Sequence, residues 1–151
     1  MKFICCLFMV LVTSCSKETP VANPVHEAAS THGHSAPYGG VLHELEGHKA
    51  SLELLVDEGS LKLFIHDGCA EKSIRIQQEK IAVLLKSATG EQEVFLEPVV
   101  SELSGDKVGS ASCFRNSDSN IKFKSVELLI VKSIEIQGIV YKNIETKVSQ
   151  K

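Results

Sequence analysis

The chain has 151 residues, of which 43% are apolar and 23% are charged, and its formal net charge is −3. A chain of this length predicts one folded domain plus a tail, and this apolar fraction is sufficient for a buried core. Nucleic-acid-binding domains carry a clustered excess of Lys and Arg, which the sequence lacks, so the composition excludes a nucleic acid partner.

The first fourteen residues have the pattern of an export signal. Lys2 provides a positive start, and residues 3–12 form an uninterrupted apolar run. A helix that spans a bilayer needs about 20 apolar residues. The run is therefore too short to cross a membrane, but it suits the apolar part of a signal peptide. We predict a signal peptide over residues 1–14.

The end of this segment, Val12, Thr13, Ser14 and Cys15, resembles the bacterial lipobox. The resemblance implies cleavage before Cys15 and acylation of its thiol, which would attach the protein to a membrane effectively permanently. In Gram-negative lipoproteins an aspartate after the cysteine commonly gives retention in the inner membrane. Ser16 stands there, so the resemblance implies a place in the cell envelope, on the outer membrane facing the periplasm. A plain secretory peptide and an uncleaved anchor are the alternatives.

Residues 15–37 have the composition of a tether. They contain three prolines and show neither helical nor strand periodicity, which predicts an unstructured, lipidated segment. His32 and His34 are separated by one glycine, and two imidazoles on flexible backbone suit Zn, Cu(II) or Ni. The alternative is a solvated polar linker in which the histidines have no function.

Residues 38–151 alternate apolar and polar side chains with a period of two. The pattern is clearest over residues 52–56 and 61–65, with a turn at 57–60 between them, which predicts a β-hairpin. Further strands are predicted around residues 74–76, 81–85, 94–96, 111–114, 126–136 and 139–148. Spacing of this kind is typical of an all-β fold, an antiparallel β-sandwich or small barrel, and we predict seven to nine strands. Residues 126–136 are open to three interpretations: one bent strand, two strands, or a segment with a helical turn.

Two cysteines remain once Cys15 is acylated. Cys69 and Cys113 form an even pair, and in an oxidising compartment such a pair predicts a disulfide. Cys69 follows His66 by three residues, so the second interpretation is a soft metal site. The third is a pair of independent thiols.

Five of the six histidines fall between residues 26 and 48, and the sixth is His66. If His43, His48 and His66 share one edge of the fold, they provide three metal ligands, with His32 or His34 from the tether as a fourth. Both methionines lie in the leader, and Cu(I) efflux proteins depend on methionine sulfur, so Zn, Cu(II) or Ni is the predicted ion.

No sequence motif points to catalysis. His43 and His48 are five residues apart, whereas the zinc protease helix needs a separation of four. There is no Gly-rich phosphate loop and no Gly-x-Ser-x-Gly elbow. We predict that the protein is not an enzyme.

The motif Tyr38-Gly39-Gly40-Val41, the strand segments that follow it and Ala70-Glu71-Lys72 resemble a known domain over residues 35–100. The chain is similar there to a small β-rich domain of stand-alone bacterial envelope proteins and to the front part of heavy-metal efflux adaptor proteins. In those adaptors a histidine typically precedes the two glycines, where this chain has Tyr38. The resemblance implies metal handling, with efflux components as partners.

The sequence therefore supports two hypotheses. The first is a lipid-anchored periplasmic lipoprotein that binds a transition metal through histidines, as a scavenger, a sensor or an efflux accessory. The second is a non-catalytic structural or interaction module of the envelope, with a protein or glycan partner and no metal.

Overall fold

The structure, a computed structural model, describes residues 34–57, 59–117 and 126–148. The predicted signal peptide, the lipidation site Cys15, the tether up to residue 33 and the candidate ligand His32 lie outside these residues. The regular secondary structure of the described part is almost entirely β-strand, and its one helical element is a 3-10 turn at Glu46–His48. The all-β prediction is confirmed.

Eight strands form one antiparallel sheet that curves into a nearly closed barrel. The sheet order is β1-β2-β3-β6-β5-β4-β7-β8, so β1 and β8 lie at its two edges. In chain order the strands are β1 (Val41–Glu44), β2 (Ala50–Asp57), β3 (Ser60–Asp67), β4 (Ile81–Ser87), β5 (Gly90–Pro98), β6 (Cys113–Asn116), β7 (Val126–Ile136) and β8 (Ile139–Lys147). Of the two predicted architectures, the protein adopts the barrel.

The core fills the inside of the barrel with the apolar half of each alternating strand. Leu52 and Leu54 of β2 lie opposite Ile65 and Leu63 of β3, and all four are almost fully buried. Residues that lie opposite each other in an antiparallel pair point to the same face of the sheet. The inward residues of one strand therefore lie opposite the inward residues of its neighbour. The inward set continues through Phe114 and the alternate residues of the other strands.

The predicted strand at residues 74–76 is not formed. Ser73 and Ile76 make only isolated bridges, to His66 and Ala111. The backbone N–H groups of this segment go to two different neighbours, that of Ile74 to the Ile65 carbonyl and that of Ile76 to the Ala111 carbonyl, so no continuous ladder forms. Two residues further on, Gln78 Oε1 accepts the Glu135 N–H at 2.7 Å.

Residues 126–136, which the sequence left open, form the single bent strand β7. Leu129 and Val131 point inward, as do Ile134 and Ile136. Between Val131 and Ile134 there are two residues, where strict alternation would place one, so the strand bends there. At the same place Gln78 donates to the Ser133 carbonyl at 3.4 Å.

The short strand β6 joins the first three strands to the other four. Three residue pairs connect it to β3, and three connect it to β5. Where the ladder to β3 ends, the Asn116 side chain continues it by accepting the backbone N–H of Leu61. The connection from β5 to β6, residues 99–112, leaves the barrel as a long loop at the same end as the β3–β4 connection.

Candidate functional site

The outer face of the β2–β3 hairpin carries a buried acid. Because Leu52 and Leu54 point inward, Glu53 points outward, and it lies opposite Phe64 of β3. An outward side chain on a barrel normally meets solvent. The Glu53 side chain is nevertheless 0% exposed. A buried carboxylate is costly unless hydrogen bonds compensate its lost hydration, so the groups that cover Glu53 decide its role.

Residues 36–40, which we call the strap, cover this carboxylate. Its Oε1 accepts the backbone N–H of Tyr38 at 2.9 Å and that of Gly40 at 2.7 Å. The Tyr38 ring stacks on Phe64 with 4.0 Å between ring centroids and 16° between planes. The charged acceptor and the ring stack both stabilise the strap against the sheet.

Two glycines allow the strap this close approach. Gly39 has a φ of +77°, in the left-handed region that glycine adopts without strain. A Cβ on Gly40 would lie 2.6 Å from the Leu54 carbonyl oxygen, so this position has no room for a side chain. The Tyr38-Gly39-Gly40 motif therefore has a structural explanation in this chain: one aromatic anchor and two backbone positions that only glycine suits.

His66 completes the cluster. Its Nε2 lies 3.4 Å from Glu53 Oε2, and its side chain is 3% exposed. The distance suits an ion pair when the imidazole is protonated, but the geometry gives no hydrogen bond, and within the described part of the chain Nε2 has no hydrogen-bond partner. The His66 ring also lies 5.9 Å from the Tyr38 ring, centroid to centroid. With both ionisable groups covered, the cluster is suited to fastening the strap rather than to meeting a substrate.

The other histidines are placed apart from this pair. His43 on β1 lies opposite Leu52 and therefore on the core side of the sheet, the face opposite to that of His66. Burial lowers the pKa of His43, which favours the neutral form of its imidazole. His48, in the 3-10 turn, is exposed and its Nδ1 lies 3.2 Å from Glu44 Oε2. His34, at the start of the described residues, is partly exposed.

The predicted three-histidine site is accordingly not assembled on one edge. Among residues 34–57, 59–117 and 126–148, no group of three or more His, Cys, Asp or Glu side chains is arranged to hold a metal ion. The physical reason is strand parity, which sends His43 and His66 to opposite faces.

Both remaining cysteines are free thiols in the structure, which gives the predicted disulfide no support. Cys69 is exposed in the turn after β3. Cys113 is half-buried on β6, opposite Phe64. Burial raises the pKa of the Cys113 thiol to about 11, and the Asp106 carboxylate adds to the rise.

We expect alkylation to distinguish the two thiols. At pH 7 a thiol with this pKa is a thiolate in roughly one molecule in ten thousand, and the thiolate is the reactive form. Maleimide should modify Cys69 at once and Cys113 only on strong alkalinisation or unfolding, as measured by intact mass. Cys69→Ser should abolish the fast modification. If neither thiol reacts until a reductant is added, the two are paired and the disulfide prediction holds.

A second buried acid organises the loop of residues 99–112. The Asp106 side chain is 4% exposed and accepts from Arg75 Nε at 2.9 Å. It also accepts from the hydroxyls of Ser104 and Ser112, each at 3.0 Å. The Arg75 guanidinium donates in addition to the Ser104 carbonyl. These contacts join Arg75 of the β3–β4 connection to Ser104 and Ser112 of the loop through Asp106, and they restrain the loop's conformation.

This fixed loop displays apolar side chains to solvent. Leu103 is 102% exposed, Val100 64% and Val108 59%. Single exposed apolar residues are ordinary on protein surfaces, but three within one loop call for an explanation. We call Val100, Leu103 and Val108 the loop tip.

No protein-family model, no curated protein and no solved structure matches this chain. The likeness to envelope domains and efflux adaptors therefore stays a prediction. In the described residues no helix has the length and apolar character needed to cross a membrane. Fold and site together define an all-β, nearly closed barrel with a strap fastened over a buried acid and a fixed apolar loop.

Sequence reasoning missed Glu53 and Asp106, the two acids on which the outer features depend. One signal for Glu53 was available, since the Tyr-Gly-Gly motif indicates a close backbone approach to something. For Asp106 the signal was weaker: two serines near an aspartate in an otherwise turn-rich segment.

Proposed function

We propose that this protein is a lipid-anchored lipoprotein of the cell envelope, attached through Cys15 and facing the periplasm from the outer membrane, and that its barrel is a non-catalytic binding module. The observation that carries the binding role is the loop tip, whose three apolar side chains are held in solvent by the Asp106 contacts. Exposing apolar surface on a rigid scaffold is costly unless a partner covers it.

The ionisable groups support the non-catalytic part of the proposal. Glu53 and His66 are covered by the strap, and Glu53 already accepts two backbone N–H groups. A general acid or base has to reach the proton it transfers. Glu53 instead holds the backbones of Tyr38 and Gly40, and the His66 ring lies beside the Tyr38 ring.

Lipidation of Cys15 is tested by expressing the full chain in a Gram-negative host with an alkyne analogue of palmitate. We expect the label, membrane fractionation and a mature mass that begins at Cys15, and we expect Cys15→Ser to lose all three. Cys69→Ser is the matched control and should keep the label. Recovery of an unprocessed, unlabelled product in the cytosolic fraction would contradict the proposal.

A transition-metal role is the second candidate function, and one contact favours it. Glu44 Oε2 holds His48 Nδ1 at 3.2 Å on the surface. A carboxylate that accepts from one imidazole nitrogen commonly orients the other nitrogen for a metal. His48 would then act with His32 and His34, for which Zn(II), Cu(II) and Ni(II) are the suitable ions.

We expect calorimetry on the detergent-solubilised full-length mature protein to decide this second candidate. Binding tighter than about 100 μM that is lost when His32, His34, His43 and His48 are all replaced by Ala would establish it. Glu44→Gln should weaken such binding, because it removes the carboxylate that orients His48. Heats indistinguishable from those of dilution for all three metals would exclude it.

A further inference from the structure

The loop tip is displayed by a rigid support. Arg75 and Ser112 hold Asp106 from two sides, and the Lys107 and Ser110 backbones bond to each other at 2.9–3.0 Å. A flexible loop would be free to fold Leu103 back onto the barrel and remove its surface from water. Here the Asp106 contacts oppose such folding back, so the loop tip is already placed to contact a partner outside the barrel.

The size and charge of the loop tip indicate the kind of partner. A stable protein interface buries about 800 Å² on each side and takes some 20–30 residues, whereas the loop tip has three. Its exposed charged neighbours are Glu102 and Lys107, one of each sign, while Asp106 is paired with Arg75. The loop tip is therefore small, apolar and without an excess of either charge. These properties suit shallow contact with the apolar edge of a lipid layer.

The length of chain before the barrel strengthens this interpretation. Residues 16–33 separate the predicted acylated cysteine from the first described residue, His34. If this segment is unstructured, as its composition predicts, it extends on the order of 25 Å and would keep the barrel close to the membrane. A contact that is too weak to bring a free protein to a membrane becomes effective when a tether keeps the barrel's local concentration high at the lipid surface.

We propose that Val100, Leu103 and Val108 insert into the outer part of the lipid layer to which the chain is anchored, which gives the barrel a second, reversible membrane contact and a fixed orientation. This inference rests on the proposed lipid anchor at Cys15. The barrel end that carries the loop faces the lipid, and the opposite end, with the β4–β5 turn, faces away.

The chain contains no tryptophan, so one introduced indole reports its own surroundings. Leu103→Trp and Ala88→Trp are a matched pair. Both positions are exposed, and they lie beyond opposite ends of β5, roughly 30 Å apart for a nine-residue strand. The lipidated full-length mature proteins would be reconstituted into phosphatidylcholine–phosphatidylglycerol vesicles with and without brominated acyl chains.

We expect the Leu103→Trp emission to shift to the blue and to be quenched by brominated lipid, and the Ala88→Trp emission to do neither. Tryptophan itself favours membrane interfaces, so a second comparison removes that bias. Val108→Trp should be quenched when Leu103 is present and much less quenched in the Leu103→Glu background. Equal quenching in the two backgrounds would overturn the proposal.

Three further outcomes would overturn it. Emission from Leu103→Trp that matches Ala88→Trp means that the loop tip stays in water. A blue shift without bromine quenching means that a protein surface, such as a second copy of the chain, covers it. Vesicle flotation reports the anchor separately: protein that floats with an unquenched Leu103→Trp indole leaves the anchor intact, whereas protein that does not float overturns both proposals.

Discussion

Glu53→Gln is expected to lower the free energy of unfolding by about 3 kcal/mol. The carboxylate accepts the backbone N–H groups of Tyr38 and Gly40, and hydrogen bonds to a charged group contribute about 1.5–3 kcal/mol. Glutamine keeps the shape but not the charge, and its amide NH₂ would face one of these donors or His66. Urea unfolding measures the change, and hydrogen exchange at Tyr38 and Gly40 should show that the strap opens.

Glu44→Gln is the matched control. Glu44 lies on the same outer face of the sheet as Glu53, one strand away, but it is exposed and its contact is with the exposed His48. Exposed pairs of this kind contribute about 0–1 kcal/mol. If the two variants lose equal stability, the buried carboxylate does not fasten the strap.

Asp106→Ala is expected to lower the free energy of unfolding by about 4 kcal/mol. Removing one partner of a buried charge pair typically costs about 3–5 kcal/mol, and Asp106 also accepts from two serines. Because Arg75 is about half exposed, water can solvate its freed guanidinium, which should keep the loss within this range. Urea unfolding gives the stability, and hydrogen exchange over residues 101–112 should rise far more than in the barrel strands.

Asp57→Ala is the control for Asp106→Ala. Asp57 pairs with Lys62 at 3.7 Å on the surface, and we expect a change below about 1 kcal/mol. The Asp106→Ala variant also bears on the membrane contact, because a loop freed from Arg75 no longer holds Leu103 in solvent. A stable Asp106→Ala variant with unchanged loop protection would mean that other contacts fix the loop.

Alternation along the strands was sufficient to predict the fold class. Leu52 and Leu54 face the core because residues two apart on a strand lie on the same face of the sheet, and the apolar face packs inward. This rule can be applied without knowing which strand is the partner. The same rule misled at Glu53. An outward acid in an alternating strand predicts solvent, and only the strap, which comes from another part of the chain, buries it.

Strand register explains why the structure does not assemble the predicted three-histidine site on one edge. His43, His48 and His66 lie in one stretch of the sequence, but whether two side chains share a sheet face depends on register, which the sequence does not reveal. The register places His43 opposite Leu52 and His66 opposite Ser51, on opposite faces. The number of histidines in one stretch of sequence therefore overstates the evidence for a metal site, because their side chains can lie on different faces of the sheet.

The four-residue strand β6 divides the barrel into two hairpin-built halves. One half is β1-β2-β3 and the other is β5-β4-β7-β8, and β6 forms a ladder of three residue pairs with each half. Most neighbouring strands of the sheet also follow each other in the chain, whereas β4–β7 and β3–β6 each join residues some forty to fifty positions apart, so these two pairings are the slow, entropically costly steps of folding. The ladders of β6 are also the shortest in the described sheet, so partial opening at β6 would expose two sheet edges while leaving both hairpin sets intact.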